Sequence, residues 1–258
     1  AVGGIETVLF ADDFETNQGW TEANLGASSG DWERGVPVND PNWAYDPASD
    51  FDGSGSCYLT QNQSGNTDVD GGAVELVSPA IDLSIPGSTL SYAYYLRLTD
   101  ANGVDRLLVE ASSAGGPFIE VTRHDTDGGA DWRTSTLTQA DFLAAGVTPG
   151  PQVRLRFTAN DDNPQSIVEA GLDALTVRAI DCGAVGTVYC DPAALNSTGS
   201  PATITAEGSS LVADNDVTLT IESLPANTVG YFLTSQTQGF TPNAGGSQGN
   251  LCLSGSPC

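Results

Sequence analysis

The 258-residue chain contains no lysine and no methionine, and its eight basic residues, all arginines, face 33 acidic ones for a formal charge of −25. So acidic a surface repels phosphate backbones, which argues against nucleic acid as a partner, and attracts divalent cations or basic surfaces instead. No run of 18 apolar residues occurs, so no membrane insertion is expected. A single histidine and five cysteines, at positions 57, 182, 190, 252 and 258 with no CxxC pair, leave no zinc-binding set. His124, in Thr-Arg-His-Asp with Asp125 and Asp127 at hand to orient it, is the one conventional general base. Neither a GxSxG elbow nor a nucleophilic cysteine motif accompanies it. Pairs of carboxylates abound, but no aromatic cleft pattern goes with them. The expectation is a chain that is not an enzyme.

What is present is turn chemistry. Thirty glycines and 14 prolines cut the chain into short segments, and aspartates outnumber glutamates 23 to 10, a bias that suits turns and oxygen-lined cation loops. Strands are predicted over residues 7–11, 57–60, 73–77, 89–98, 106–112, 118–123, 132–137, 153–158 and 166–177, with one short helix over 139–145. Residues 21–66 read as a long loop packed by its own side chains, carrying Trp32, Trp43, Tyr45 and Phe51. Strands at this spacing argue for an all-β, antiparallel sandwich. Residues 183–200 read as a linker, and strands over 203–208, 216–222 and 230–235 as a second, smaller and incomplete β domain. The domain expectation is 1–182 and 183–258.

Cysteines without metal spacing point to disulfides and an oxidising compartment. The start at Ala1 suggests a mature secreted form, and the end at Ser-Pro-Cys258, with no closing strand, a fragment of something longer. Trp20 and Trp132 read as core or loop anchors. Trp32 and Trp43, in the long loop, are the candidates for a flat exposed surface that stacks on a sugar.

The segment SIVEAGLDALTV, 166–177, carries two carboxylates. Strict alternation places Ile167, Glu169, Gly171, Asp173, Leu175 and Val177 on one face. A carboxylate in line with Leu175 and Val177 is costly to bury unless paired, hydrogen-bonded or bound to metal. Arginine partners for Glu169 or Asp173 are at hand in Arg154, Arg156 and Arg178. A second acidic turn, Asp68-Val-Asp70-Gly-Gly72, has the opening of an EF-hand loop without its closing Glu, which leaves a cation loop or a self-bonded Asp turn.

With Asp12-Asp13-Phe14-Glu15, SPAIDLS at 78–84, DRLLVEAS at 105–112 and GLDALTV followed by a cysteine, residues 1–182 resemble MAM-like jelly-roll modules, a group that includes the cleaved adhesin domains of secreted bacterial proteases. The resemblance implies a jelly roll whose first and last strands lie side by side. It also implies a structural calcium held by acids on those strands and in a nearby loop, here Asp13, Glu15 and Asp173, with Asp68 and Asp70 as weaker ligands. In place of the usual two bridges of the eukaryotic pattern, the first domain has only Cys57 and Cys182. The second unit resembles small C-terminal modules of secreted proteins from environmental bacteria, which implies that Cys190 pairs with Cys252 and leaves Cys258 over.

The expected function is a calcium-stabilised extracellular module for adhesion or ligand binding, its partner a glycan or cell-surface protein. The rival readings are a self-associating subunit of an extracellular fibre or surface layer, and the accessory tail of a secreted peptidase or glycosidase.

Overall fold

The computed structural model describes residues 5–100, 104–162, 164–181, 185, 186, 189, 193–208, 215, 217–228, 232–235, 237–247 and 249–254. Glu6–Ile180 form one compact unit, and the residues from Asp181 onward, together with Ala1–Ile5, another.

The first unit is an antiparallel jelly-roll sandwich. One sheet holds β3 (Trp32–Gly35), β4 (Cys57–Thr60), β11 (Val168–Asp181), β6 (Thr89–Leu98) and β9 (Arg133–Thr138) in that order, with β1 (Ile5–Asp12) also pairing with β11. The other runs β2 (Thr21–Asn24), β5 (Gly72–Val77), β10 (Val153–Asp161), β7 (Arg106–Ser113) and β8 (Ile119–His124). The first and last strands thus lie together, as the resemblance implied.

Period-two patterning builds the core between the sheets. From the first sheet come Leu90, Tyr92, Tyr94, Leu96 and Leu98 of β6; from the second come Val74, Leu76, Leu107, Val109, Leu155 and Phe157. Phe14, Trp20 and Tyr58 close one part of it with edge-on ring contacts, Phe14 lying 5.2 Å from Trp20 and 5.5 Å from Tyr58. Such pairs add about 0.5–1.5 kcal/mol each beyond simple burial. The helix α1 (Gln139–Ala145) forms where the sequence placed it, with a Thr138–Asp141 capping box, a left-handed Gly146 at its end and Phe142 buried.

Alternation fails at one point. Val168, Ala170 and Leu172 face the core, but so do Leu175 and Val177. Ala174 adopts a left-handed backbone with φ 47°, and the pairing of β11 with β6 shifts register between Asp173 and Thr176. This bulge inserts an extra residue and exchanges the faces. Glu169, Gly171 and Asp173 therefore do not share a face with Leu175 and Val177, as strict alternation predicted; they point away from the core.

The second unit consists, among the described residues, of two hairpins: β12 (Thr203–Gly208) with β13 (Val217–Glu222), and β14 (Thr237–Pro242) with β15 (Asn250–Ser254). The strand expected at 230–235 is absent over its described part, 232–235, and the last hairpin was not foreseen. Its sequences, TQGFTP and NLCLS, interrupt their β-formers with Gly239 and Pro242 and open the second strand on Asn250, which breaks the strand signal. Cys57 is a free, buried thiol, which corrects the expectation that it forms a disulfide: it stands in β4 against the sheet's covered outer face. Cys252 is disulfide-bonded, while Cys182, Cys190 and Cys258 lie outside the described residues.

Candidate metal centre

The outer face of the first sheet is covered. Gly171 has no side chain because there is no room for one: a Cβ there would stand 2.8 Å from Leu59, 2.9 Å from Trp132 and 3.1 Å from Tyr95. Over this layer lies the segment 36–56, most of the loop predicted to pack on itself. Four hydrogen bonds hold it to the sheet. Tyr95 donates to the Tyr45 carbonyl at 2.6 Å and Trp132 Nε1 to the Ser49 carbonyl at 2.9 Å. Trp43 Nε1 donates to Glu169 at 3.1 Å, and the Phe51 amide to Asp173 at 2.8 Å. The two outward carboxylates of β11 are thus the loop's anchors.

Glu169 also accepts from Thr60 Oγ1 at 2.9 Å and Thr67 Oγ1 at 3.3 Å. Burial, then the adjacent Asp46 carboxylate, raises its proton affinity well above the usual carboxylate range, and Asp46 itself is pushed up to about 6. Among the described residues no arginine pairs with Glu169 or Asp173: Arg156 is held by Glu75 and Glu110, and Arg178 by Glu6.

Asp173, fully buried, meets two acids of the loop. Oxygens of Asp50, Asp52 and Asp173 lie within 4.8 Å of one another. Burial, reinforced by Asp52, lifts Asp173 to about 7 despite the Phe51 and Ala174 amides that favour its ionised form. Three hard oxygen donors with half-buried Asp50 and exposed Asp52 on one side suit a divalent cation of the calcium type, which completes its six to eight ligands with water and carbonyls.

Around this group the loop is already shaped. Asp52 accepts from the Ser54 amide at 2.8 Å and Asp50 from the Gly55 amide at 2.9 Å. Glu15 reaches the same turn by accepting from the Ser56 amide and from Ser54 Oγ. Of the expected calcium set, then, Asp173 stands in the cluster, and Glu15 straps the loop that supplies the rest. Asp13 lies exposed, its carboxylate on the Glu15 amide at 3.2 Å. Asp68 and Asp70 stand elsewhere, at the start of β5. The sequence reading missed Asp50 and Asp52, although Asp50-Phe-Asp52-Gly repeats the D-x-D-G pattern it noticed at 68–71.

The aromatic expectations divide. Trp32, 4% exposed, belongs to the core and donates to the Val74 carbonyl, so it offers no sugar platform. Trp43 is half-buried, edge-on to Tyr45 at 4.9 Å. The most exposed ring of the covering loop is Phe51, 43% exposed and 6.3 Å from Trp132. His124 stacks on Tyr94 at 3.7 Å and bonds Tyr92 Oη at 2.9 Å. Burial, then the Arg133 cation, pushes it down to about 4. Asp127, one of its proposed orienting acids, is instead engaged by the Leu98 amide and by Arg97.

No known family model matches the chain, and no curated protein matches it. Among solved structures it is similar to the K1 cleaved adhesin domain of Lys-gingipain from Porphyromonas gingivalis W83, at 18% identity and a TM-score of 0.43, covering 68% of this chain and 99% of that one. It is also similar to the family 11 carbohydrate-binding module from Clostridium thermocellum (14% identity, TM-score 0.40, 70% and 98% covered). A third likeness is the CBM22-1 xylan-binding domain of Paenibacillus barcinonensis Xyn10C (11%, 0.36, 71% and 99%).

Proposed function

We propose that residues 1–182 form a non-catalytic extracellular module that binds calcium at Asp50, Asp52 and Asp173, and uses the loop this ion fixes to bind a glycan or a cell-surface partner. Residues 183–258 form a separate small β domain of the same secreted or surface polypeptide. The observation that carries the reading is the convergence of three carboxylates where a long covering loop meets the last strand of the sandwich. Without a cation, such close carboxylates repel one another by about 1–4 kcal/mol per pair, depending on local dielectric. With it, the loop's outward residues hold one arrangement. Phe51, between Asp50 and Asp52, is then presented as a rigid exposed ring beside Trp132, and a flat ring of this kind packs against the apolar face of a pyranose.

Two measurements test this. Asp173→Asn lowers the melting temperature in calcium and leaves it nearly unchanged in EGTA; equal losses in both would refute the metal. Binding on a broad glycan array that disappears with Phe51→Ala supports the ligand reading, and silence across the array in calcium would sink it for glycans.

A further inference from the structure

The covering loop meets β11 at two carboxylates, and one of them, Glu169, lies outside the candidate metal centre. Glu169 is 2% exposed and precedes Asp173 by four residues on the strand, or about 13 Å of extended chain. Its oxygens take hydrogen bonds from three segments: Trp43 Nε1 of the loop at 3.1 Å, Thr60 Oγ1 of β4 at 2.9 Å and Thr67 Oγ1 at 3.3 Å. The fourth partner is another acid. Asp46, also in the loop, is hydrogen-bonded to Glu169 and to Thr67.

Two carboxyl groups bond to each other only when one of them carries a proton, because an ionised carboxylate accepts and never donates. With both ionised, the contact becomes a repulsion between like charges in a site shielded from water. Burial is the largest cause acting on both acids, and it pushes each toward its protonated form.

The other groups that face the pair supply no compensating charge. Asp40, on the loop, adds a like one. On β6, Tyr95 is kept neutral by burial, which raises its hydroxyl to about 12. Arg97, on the same strand, is engaged by Asp127 at 3.3 Å and lies over the Tyr45 ring at 5.2 Å. Thr60 and Thr67 are uncharged, and among the described residues no arginine pairs with Asp46 or Glu169.

We propose that Asp46 and Glu169 hold one proton between them and act as an acid-closed latch, which keeps the Trp43 part of the covering loop on β11 at mildly acidic pH and releases it as the pH rises. The pair binds its proton more tightly with the loop closed than open. Closure is therefore complete below the ordinary carboxylate range, near 4, and is lost as pH climbs through the raised values of the closed state. A cation on Asp173 has the opposite dependence, since it displaces protons and binds better at higher pH. That the latch controls partner binding through Phe51 rests on the function proposed above. The latch itself does not, because neither Asp46 nor Glu169 belongs to the group that would hold the ion.

Hydrogen exchange of the Trp43 indole N–H, which donates to Glu169, reads the latch in the full chain. Measured by NMR in EGTA at pH 5 and pH 8 and corrected for the intrinsic rate, its protection should fall in the parent by at least about ten-fold, the change that one pH unit of single-proton linkage gives. In Asp46→Asn the amide donates to Glu169 with no proton to lose, so protection should be nearly equal at the two pH values. Glu169→Gln, whose amide donates to Asp46, should behave alike and serves if Asp46→Asn does not fold. Asp46→Ala has neither proton nor amide and should lose protection at both. Parent protection that is the same at pH 5 and pH 8 would overturn the latch, as would a fall in Asp46→Asn as large as the parent's. The metal is judged separately, by Asp173→Asn in calcium, so either idea can fail and leave the other standing.

Discussion

Asp50-Phe51-Asp52-Gly53 and Asp68-Val69-Asp70-Gly71 are one four-residue pattern used in two opposite ways. Both turns end on a glycine of positive φ, 79° at Gly53 and 63° at Gly71, so local chemistry shapes them alike. They differ in what lies beneath. The first rests on the outer face of a sheet, closes on Asp173 and holds its middle residue, Phe51, toward solvent. The second is folded into the sandwich edge, lies beside Asp161 and inserts its middle residue, Val69, into the core. The same aspartates therefore serve a presented loop in one place and a structural junction in the other. Local sequence specifies the turn, and the surface it packs on specifies its use.

Removing the cation is the coarsest way to break the comparison. Calcium at about one hundred times its dissociation constant contributes about 2.7 kcal/mol per site. For a domain of this size EGTA should therefore lower the melting temperature by about 5–10 °C per site occupied, measured by scanning calorimetry. Asp173→Asn should reproduce that loss at the first turn, and Asp68→Asn should leave the calcium effect in place.

Steric wedges separate the turns without touching a ligand. Gly171→Ala drives a methyl into Leu59, Trp132 and Tyr95, and overpacking of this kind costs about 1–3 kcal/mol. The loop over residues 36–56 should lift, seen as faster proteolytic nicking there. Gly72→Ala collides with the Ala27 backbone and should loosen the second turn while leaving that loop protected. Nicking of the same loop in both variants would show that the two regions are coupled.

The pH dependence of the metal-free protein is a finer probe. The folded-state affinities of Asp173, at about 7, and of Asp68 and Asp46, at about 6, lie above the ordinary value of 3.8. Glu169, Asp161 and Asp12 shift the same way. The folded state therefore binds protons more tightly than the unfolded one, and stability falls as pH rises through the window from about 4 to 7. His124, lowered to about 4, acts oppositely, losing stability as pH falls from 6.5 toward 4. Between pH 6.5 and 7.5 only the carboxyls count. In EGTA the fold should weaken there by at most about 1.4 kcal/mol per pH unit per group, less where water screens it. In calcium, ion and proton compete for the same oxygens, and the trend should flatten or reverse. A parallel decline in both buffers would show that Asp50, Asp52 and Asp173 hold no cation.

The smallest effect concerns Cys57. Burial, with Asp173, Asp50, Asp52 and Glu15 as contributors, raises its thiol far above the usual range. Maleimide labelling in calcium should be slow, several-fold faster in EGTA or with Asp173→Asn, and unchanged by Asp68→Asn.

Much of this was legible in the sequence, and for physical reasons. Strands such as Thr89–Leu98 alternate cleanly because one face is buried, and α1 carries both of its caps. Asp173 stood out because a carboxylate in an apolar strand demands a partner. Its partners were hidden because Asp50 and Asp52 lie 121 to 123 residues away in a loop with no periodicity, and nothing local says which sheet a loop lies on. Trp32 misled because its strand, β3, is only four residues long and polar at Glu33 and Arg34. The alternation over 166–177 was read through a bulge whose sole local sign is a left-handed alanine, a conformation that ordinary propensities assign to glycine or asparagine.

That bulge also governs how β11 tolerates change over time. Its apolar requirement falls on even-numbered positions before Ala174 and on odd-numbered ones after it, so the strand is written in two phases. Loss of Ala174 would leave Leu175 directly after Asp173 and Thr176 still opposite Ser91, which restores plain alternation with Leu175 and Val177 facing the core. The core would survive such a deletion, whereas the kink beside Asp173 would not. The bulge is thus the place where β11 can lose a residue without exchanging its faces, and the loop's fastening bears the consequence.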